Sequence, residues 1–345
     1  MVRSKQNPII NLNDVTPSME GFEVIGVFNA AVARLQDEII LLIRVAERPV
    51  NDRDDIELAA IYDVPQERIV LKDFSKQDPA HDFSDIRLIG TPEGTFLTSI
   101  SHLRVARSRD GLNFEIDQTP ALAPANEYET FGIEDPRITQ IGDTYYITYV
   151  AVSPCGVVTS LASTVDFKNF NRRAAIFCPD KDVVIFPEPV GGLYYALHRP
   201  ASTLFTRQDM WIAESPDLIC WGHHRRLMST RPGLWDGLKI GAGAVSFRTD
   251  QGWLEIYHGA DRDNRYCLGA VLLDPDQPWI VKARSSSPIF EPRENYECDG
   301  FFGNVVFTCG ALCENGTVKL YYGAADTSIC YAELPLADIL GTLAP

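Results

Sequence analysis

Glu134 and Asp135 stand side by side in the stretch TFGIEDPRITQIGDTYYITYVAVS, directly ahead of Pro136 and Arg137. Carboxyl groups are a common source of general acids and bases. A residue that precedes proline is pushed towards extended backbone, which would hold Asp135 at the start of a strand. Further along, Lys181, Arg199 and His258 lie at the ends of other apolar strands. Arg offers a planar, two-pronged contact, whereas Lys and His act as point donors. Taken singly, each of these residues also has a structural reading: Asp and Asn satisfy turns, Arg pairs with carboxylates, and a lone His satisfies a carbonyl. Only an architecture that brings them together gives them a shared chemistry.

That architecture is legible as a repeat. Short runs rich in Val, Ile, Tyr, Phe and Thr are broken by Gly, Asp and Pro, and no convincing amphipathic helix appears. Five stretches share one plan of polar start, apolar strand, turn, aromatic strand and polar end: FNAAVARLQDEIILLIRVAER, EDPRITQIGDTYYITYVAVS, KDVVIFPEPVGGLYYALHRP, KIGAGAVSFRTDQGWLEIYHGAD and GNVVFTCGALCENGTVKLYYGAAD. Third strands follow as SLASTVDF, MWIAESPDL, CLGAVLLD and ICYAELPL; the first unit meets its third strand only at SHLRVARSRDGLNF. Residues 51–100 are therefore an insertion, with room for a degenerate sixth unit. Sheets repeated at this period predict an all-β fold, a five-bladed β-propeller, with a β-sandwich as the alternative. In a propeller the first strand of each blade runs away from one mouth of the axial channel and the second returns to it. The starts at Asn29, Glu134–Asp135, Lys181–Asp182, Lys239 and Asn304 would then meet the ends at Arg44 through Arg48, His198–Arg199, His258 and Asp326. A purely structural protein has no reason to ring one channel mouth with such groups.

Composition narrows the class. A hydrophobic content of 45% and a charged content of 23% are globular values, and the formal charge of −16 disfavours nucleic acid and anionic membrane surfaces as partners. The start of the chain, MVRSKQNPIINLNDV, lacks the apolar core of a signal peptide, and no run approaches a membrane span. The eight cysteines are scattered with no CxxC pair or His-rich partner, which argues against a zinc site and fits a reduced, cytoplasmic enzyme.

The motifs GIEDPR, LHRP, IYHGAD, IFEP and LYYGAAD, in this order, resemble glycoside hydrolase family 130, the mannoside phosphorylases and mannosidases. The resemblance runs from FNAAV to the C-terminus and implies a single five-bladed catalytic domain over residues 1–345. GFEVIGVFN, the insertion and FFGNVVFTCG resemble the β-1,2-mannobiose and β-1,2-oligomannan phosphorylases most. Asp135 matches the family's general acid, whose proton in related enzymes can pass through a mannose hydroxyl. Lys181, Arg199 and His258 match its phosphate-binding positions, with lysine at the first where some relatives carry arginine. Asn29, Arg44, Glu134, His198, Lys239 and Asp326 are expected to hold sugar, and Arg137 to pair with a carboxylate.

The implied reaction is inverting phosphorolysis of a β-mannoside to α-D-mannose 1-phosphate. It uses inorganic phosphate as co-substrate, with no metal or organic cofactor. An inverting hydrolase needs a second carboxylate to activate water; a phosphorylase needs cations instead, and this sequence has them. Alternatives are a phosphorylase of β-1,4-mannosyl-glucose, β-1,4-mannosyl-N-acetylglucosamine or β-1,4-mannooligosaccharides, a β-mannosidase, and a propeller lectin with GLYY, YYG and Trp235 as stacking platforms. Self-association is left open.

Overall fold

The computed structural model describes residues 2–201 and 207–343. Five antiparallel sheets of the chain's strands follow one another in sequence. The first blade comprises Phe22–Leu35, Glu38–Pro49, Ile100–Ser108 and Glu115–Ile116, and the second Ile133–Ile141, Thr144–Ser153, Gly156–Thr164 and Asn171–Phe177. The third comprises Asp180–Ile185, Tyr194–Pro200, Met210–Ser215 and Gly222–Met228. In the fourth the inner edge is split into Lys239–Ala242 and Phe247–Thr249, followed by Gly252–Ala260, Tyr266–Leu273 and Val281–Arg284. The fifth comprises Val306–Glu314, Thr317–Ala324 and Ser328–Pro335, and its outer strand is the N-terminal Val2–Arg3. This is the five-bladed β-propeller that the repeat predicts.

The apolar residues of each blade explain why the ring closes. Every strand has two faces, and a blade packed between two others must bury both. Five core clusters sit between consecutive blades. Leu42, Leu103, Ile147 and Tyr149 join the first to the second, and Leu161, Ile185 and Ala196 the second to the third. Leu197, Ile212, Trp253 and Tyr257 join the third to the fourth, and Leu254, Leu268, Leu320 and Tyr322 the fourth to the fifth. Val27, Leu41, Tyr321 and Ile329 return the fifth to the first. Each large apolar side chain so buried contributes about 1.5–3 kcal/mol relative to exposure. Closure therefore rests on many similar contacts.

Between the third and fourth strands of the first three blades, a Ser/Thr-x-Asp turn recurs. Asp110 accepts from the backbone N–H of Leu112 and Asn113, Asp166 from Lys168 and Asn169, and Asp217 from Ile219 and Cys220. These aspartates are spent on turns.

The insertion is not a sixth blade. It folds as two hairpins, Ile56–Asp63 with Arg68–Ser75 and Leu88–Thr91 with Gly94–Leu97. They share a small core of Ala59, Phe74 and Ile89, flanked by Phe83 and Phe96.

Candidate active site

Three inner strands carry the same irregularity at the same height. Their ladders shift register between Phe28 and Ala31, between Glu134 and Arg137, and between Lys181 and Val184. Within the shifts, Asn29, Asp135 and Asp182 adopt left-handed backbone, with φ of 51°, 48° and 58°. Asn and Asp tolerate this region better than other residues with side chains, and a bulge of this kind re-aims a side chain out of the ladder. Asp135 is thus not held in the extended backbone expected ahead of Pro136; the bulge overrides that preference. The sequence pairs FN, ED and KD are the visible trace of these bulges.

The bulges open on a cavity of about 360 Å³ at one mouth of the channel. Asn29, Arg44, Glu134, Asp135, Lys181, Arg199, Lys239, His258 and Asp326 all line it, so every blade contributes. Asp135 Oδ1 accepts hydrogen bonds from Asn29 Nδ2 at 2.9 Å and Arg44 Nη1 at 3.0 Å. Arg44 Nη2 donates to Glu134 Oε1 at 2.9 Å, and its Nε to Ser101 Oγ at 3.1 Å. One guanidinium therefore aligns both carboxylates of the EDPR motif. Burial alone would raise the Asp135 carboxyl, but Arg44, Arg137, Lys181 and the Asn29 hydrogen bond outweigh it and hold the group below its ordinary value. Asp326 goes the other way: burial, reinforced by Asp135 and Glu134, pushes it up to about 6 against Arg44 and Arg87.

A second cluster surrounds Asp182. Its Oδ2 lies 2.9 Å from Arg199 Nη1 and 3.3 Å from His258 Nε2, and its Oδ1 accepts from Arg137 Nη2 at 3.3 Å. Burial opposes the charge, yet Arg199, His258 and Arg137 hold this carboxyl well below the usual range. Gly241 makes the approach feasible, since a Cβ there would stand 2.3 Å from Asp182 Oδ2 and 2.6 Å from the His258 ring. Arg137 is buried and also donates to the Ala242 carbonyl at 3.1 Å, the structural role expected of it. Among the described residues no carboxylate lies within ion-pair distance of Lys181 or Lys239. Burial, with Arg199 and Lys181 close by, brings Lys239 down to about 8, and its ammonium sits 4.7 Å over the Tyr266 ring. The cavity therefore has a cationic side, Lys181, Arg199 and Lys239, and a carboxylate side, Glu134, Asp135 and Asp326.

A sequence profile described as β-1,4-mannooligosaccharide phosphorylase, of glycoside hydrolase family 130, matches residues 96–344. The chain belongs to glycoside hydrolase family 130. It is 49% identical to the β-1,2-mannobiose phosphorylase of Listeria innocua, over 99% of this chain and 98% of that one. It is 38% identical to a 1,2-β-oligomannan phosphorylase of Thermoanaerobacter, over 72% of this chain and 83% of that one. The solved complex of the Listeria innocua enzyme with β-1,2-mannobiose superposes with a TM-score of 0.97 at 48% identity, covering 99% of this chain and 98% of that one.

Two sequence expectations need correction in this family 130 chain. His198 faces away from the cavity, because neighbours on a strand point to opposite faces and Arg199 takes the inward one. Its Nδ1 lies 2.7 Å from Asp180 Oδ2 and its Nε2 3.1 Å from His224 Nδ1, in a separate depression on the third blade. His258 is fully buried, and burial pushes its ring down to about 4 despite Asp182, which works against the cation expected there. The aromatic platforms of the lectin reading are also elsewhere. Tyr195, Tyr321 and Tyr322 belong to the core between blades, and Trp235 stacks on Tyr257.

Sequence reasoning missed the far wall of the cavity: Arg87, Leu88, Leu97 and Ser99 from the insertion, and Phe301 and Phe302 ahead of the fifth blade. The aromatic run FFGNVVF was a usable signal for the phenylalanines; a lone arginine between two hairpins offered none.

Proposed function

We propose that this chain is an inverting phosphorylase of β-1,2-mannosides, the β-1,2-linked mannobiose or oligomannan. Phosphate attacks C1 of the non-reducing mannose from the face opposite the glycosidic oxygen, giving α-D-mannose 1-phosphate and a shortened sugar. The observation that carries this reading is the cationic side of the cavity. Lys181 and Lys239 have no carboxylate partner there, and Arg199 stands beside them. Such a cluster replaces the hydration of a phosphate dianion with charge-assisted hydrogen bonds. Similarity to β-1,2-mannobiose phosphorylase along nearly the whole chain supports the linkage.

Asp135 is the proton donor in this scheme, and Arg44 and Asn29 fix its orientation. Two donors on Oδ1 leave Oδ2 as the oxygen that carries the proton. Phosphate beside Lys181 adds negative charge near a carboxyl that Arg44, Arg137 and Lys181 keep ionised, which favours its protonation. Lys239, expected to hold sugar, joins Lys181 and Arg199 at the phosphate. His258 and Asp182 set the position of Arg199 from beneath, and Asn29, Glu134 and Asp326 remain for the mannose. Convergence of five blades on one mouth supports a single catalytic domain over residues 1–345. Eight unpaired cysteines support a reducing compartment, the cytoplasm; no helix among the described residues is long and apolar enough to cross a membrane.

The test is cleavage of β-1,2-mannobiose with and without phosphate, with β-1,4-mannobiose in parallel. Phosphate-dependent release of α-D-mannose 1-phosphate from the β-1,2 substrate is expected. Equal release of free mannose without phosphate would overturn the phosphorylase in favour of a hydrolase.

A further inference from the structure

The third blade departs from the first at two matching positions. Two residues ahead of the bulged Asn29 and Asp135, the inner strands of the first and second blades carry Val27 and Ile133, both fully buried. The third carries Asp180 there, two residues ahead of Asp182 and also buried. On the second strand, beside the cavity-lining Arg44, the first blade has the buried Ile43; beside Arg199, the third has His198, buried likewise. Where the first blade has an apolar pair, the third therefore has a carboxylate and an imidazole, with Asp180 Oδ2 accepting from His198 Nδ1 at 2.7 Å. Burial pushes the Asp180 carboxyl up, and His198 works against it. A buried carboxylate, even when paired, seldom stabilises a fold more than well-packed apolar residues would, so stability is a poor reason for the difference.

What Asp180 holds is the backbone under the cations. Its Oδ1 accepts from the Arg199 N–H at 3.0 Å, and its carbonyl accepts from Thr159 Oγ1 of the second blade at 3.1 Å. Lys181 is the next residue in the chain and pairs with Arg199 across the ladder. The register then shifts before Val184, so the bulge separates this end of the strand from the regular ladder. Asp182 holds the Arg199 guanidinium, but among the described residues Lys181 has no carboxylate within ion-pair distance. Its backbone is what places it. His198 is immobilised in turn: its ring centroid stands 4.8 Å from that of Phe177, and its Nε2 lies 3.1 Å from His224 Nδ1. One carboxylate oxygen is thus fixed by a packed side chain, and the other fixes the main chain of Arg199.

We propose that Asp180, locked by His198, is the positioning residue of the phosphate side: it fixes the Lys181 and Arg199 backbones relative to each other and so sets the spacing of the two cations that receive phosphate. The proposal rests on the phosphorylase reading and deepens it. Neither Asp180 nor His198 touches phosphate; both act through the residues that do. A misplacement of about 1 Å is enough to weaken such contacts substantially.

The experiment measures kcat and the KM values for phosphate and for β-1,2-mannobiose in the wild type, Asp180→Ala, Asp180→Asn and His198→Ala, with melting temperatures at rising inorganic phosphate. Asp180→Ala should raise the KM for phosphate by about ten-fold or more, while the KM for the sugar stays within about two-fold. Asp180→Asn should recover most of that loss. Its amide oxygen can still accept from the Arg199 N–H, and its amide N–H can donate to the other tautomer of His198. His198→Ala, which keeps the Arg199 bond but frees the carboxylate, should raise the KM for phosphate by about three- to ten-fold. Phosphate should raise the melting temperature of the wild type, and that of His198→Ala only at several-fold higher concentration. Lowered melting temperatures with both KM values unchanged in Asp180→Ala and His198→Ala would make the pair merely structural. That result, or an equal rise in both KM values, would overturn the positioning role while leaving the phosphorylase intact. If Asp180→Ala does not fold, the phosphate KM of His198→Ala decides alone. No phosphate-dependent cleavage by the wild type would instead bring down the phosphorylase reading, and the positioning role with it.

Discussion

The axial channel has two mouths of nearly equal size and opposite character. The catalytic mouth encloses about 360 Å³ and the other about 380 Å³. The same inner strands reach both. At the second mouth they end in Val32, Ala33, Ile138, Ala311 and Leu312, with Gln140 and Arg248 at the rim. No ladder shift or left-handed Asx residue occurs on the inner strands of blades one to three at that end. A cavity is what five sheets around an axis produce by default. Chemistry appears only where bulges aim Asn29, Asp135 and Asp182 inward and where two lysines remain without carboxylate partners.

Substitutions at the two mouths should therefore differ in kind. Asp135→Asn keeps size and hydrogen bonding to Asn29 and Arg44 but removes the transferable proton, so turnover should fall by about 10²–10⁴-fold. The melting temperature, followed by circular dichroism, should change little, because the cores lie between blades. Near-normal turnover would pass the acid's role to Glu134 or Asp326.

Arg199→Ala should lower kcat/KM by about ten- to a hundred-and-fifty-fold, chiefly through a raised KM for phosphate, and Arg199→Lys should recover only part of the loss. An unchanged KM for phosphate would mean that Arg199 serves only to neutralise Asp182.

Asp326→Asn separates function from stability. In the folded chain this carboxyl titrates near 6 against 3.8 for the free side chain. Between those values the folded state holds a proton that the unfolded state has lost, so stability falls as pH rises through the window and stays lower above it. Removing the carboxyl should stabilise the chain above pH 6 by on the order of 1–3 kcal/mol and give little gain below pH 4. Thermal melts at the two ends of that range decide the matter, and activity should drop at both.

Burial and the neighbouring Arg199 and Lys181 bring Lys239 down to about 8, so it loses its charge as pH passes that value. The KM for phosphate should accordingly rise several-fold above that pH, and Lys239→Arg, which stays charged, should flatten the rise. The smallest effect belongs to the other mouth: Gln140→Ala should leave activity intact and change stability by no more than about 0.5 kcal/mol. A marked loss of activity there would mean that the two mouths are coupled through the channel.

Much of this was legible in the sequence, for a physical reason. A blade is a local object, built from strands and turns close together in the chain, so period-2 patterning and Gly turns betray it. Residues at strand starts inherit their place from that pattern, which is why Asn29, Asp135, Lys181 and Lys239 could be placed at one mouth. The misplaced His198 shows the limit of positional reasoning, since a shift of one residue along a strand reverses the face. The cationic reading of His258 runs against its burial by other blades, a quantity that no local pattern contains. The Arg87 guanidinium stands 4.5 Å over the Phe302 ring from more than two hundred positions away in the chain, and nothing local to either residue announces it.

The N-terminal strand gives the molecule a clasp. Val2 and Arg3 pair with Glu333 and Ala332, and Arg3 Nε reaches Glu297 at 2.7 Å, beneath the Tyr322 hydroxyl at 2.8 Å from the same carboxylate. During synthesis these first residues emerge long before the strand they must join. The fifth blade, which supplies Asp326, therefore has its outer edge covered by a strand made more than three hundred positions earlier. Contacts so distant in sequence form late and slow folding, although the entropy of closing a long loop grows only logarithmically with its length. Nascent chains should thus carry four finished sheets and no working enzyme, and catalytic competence should arrive in one step when the clasp shuts.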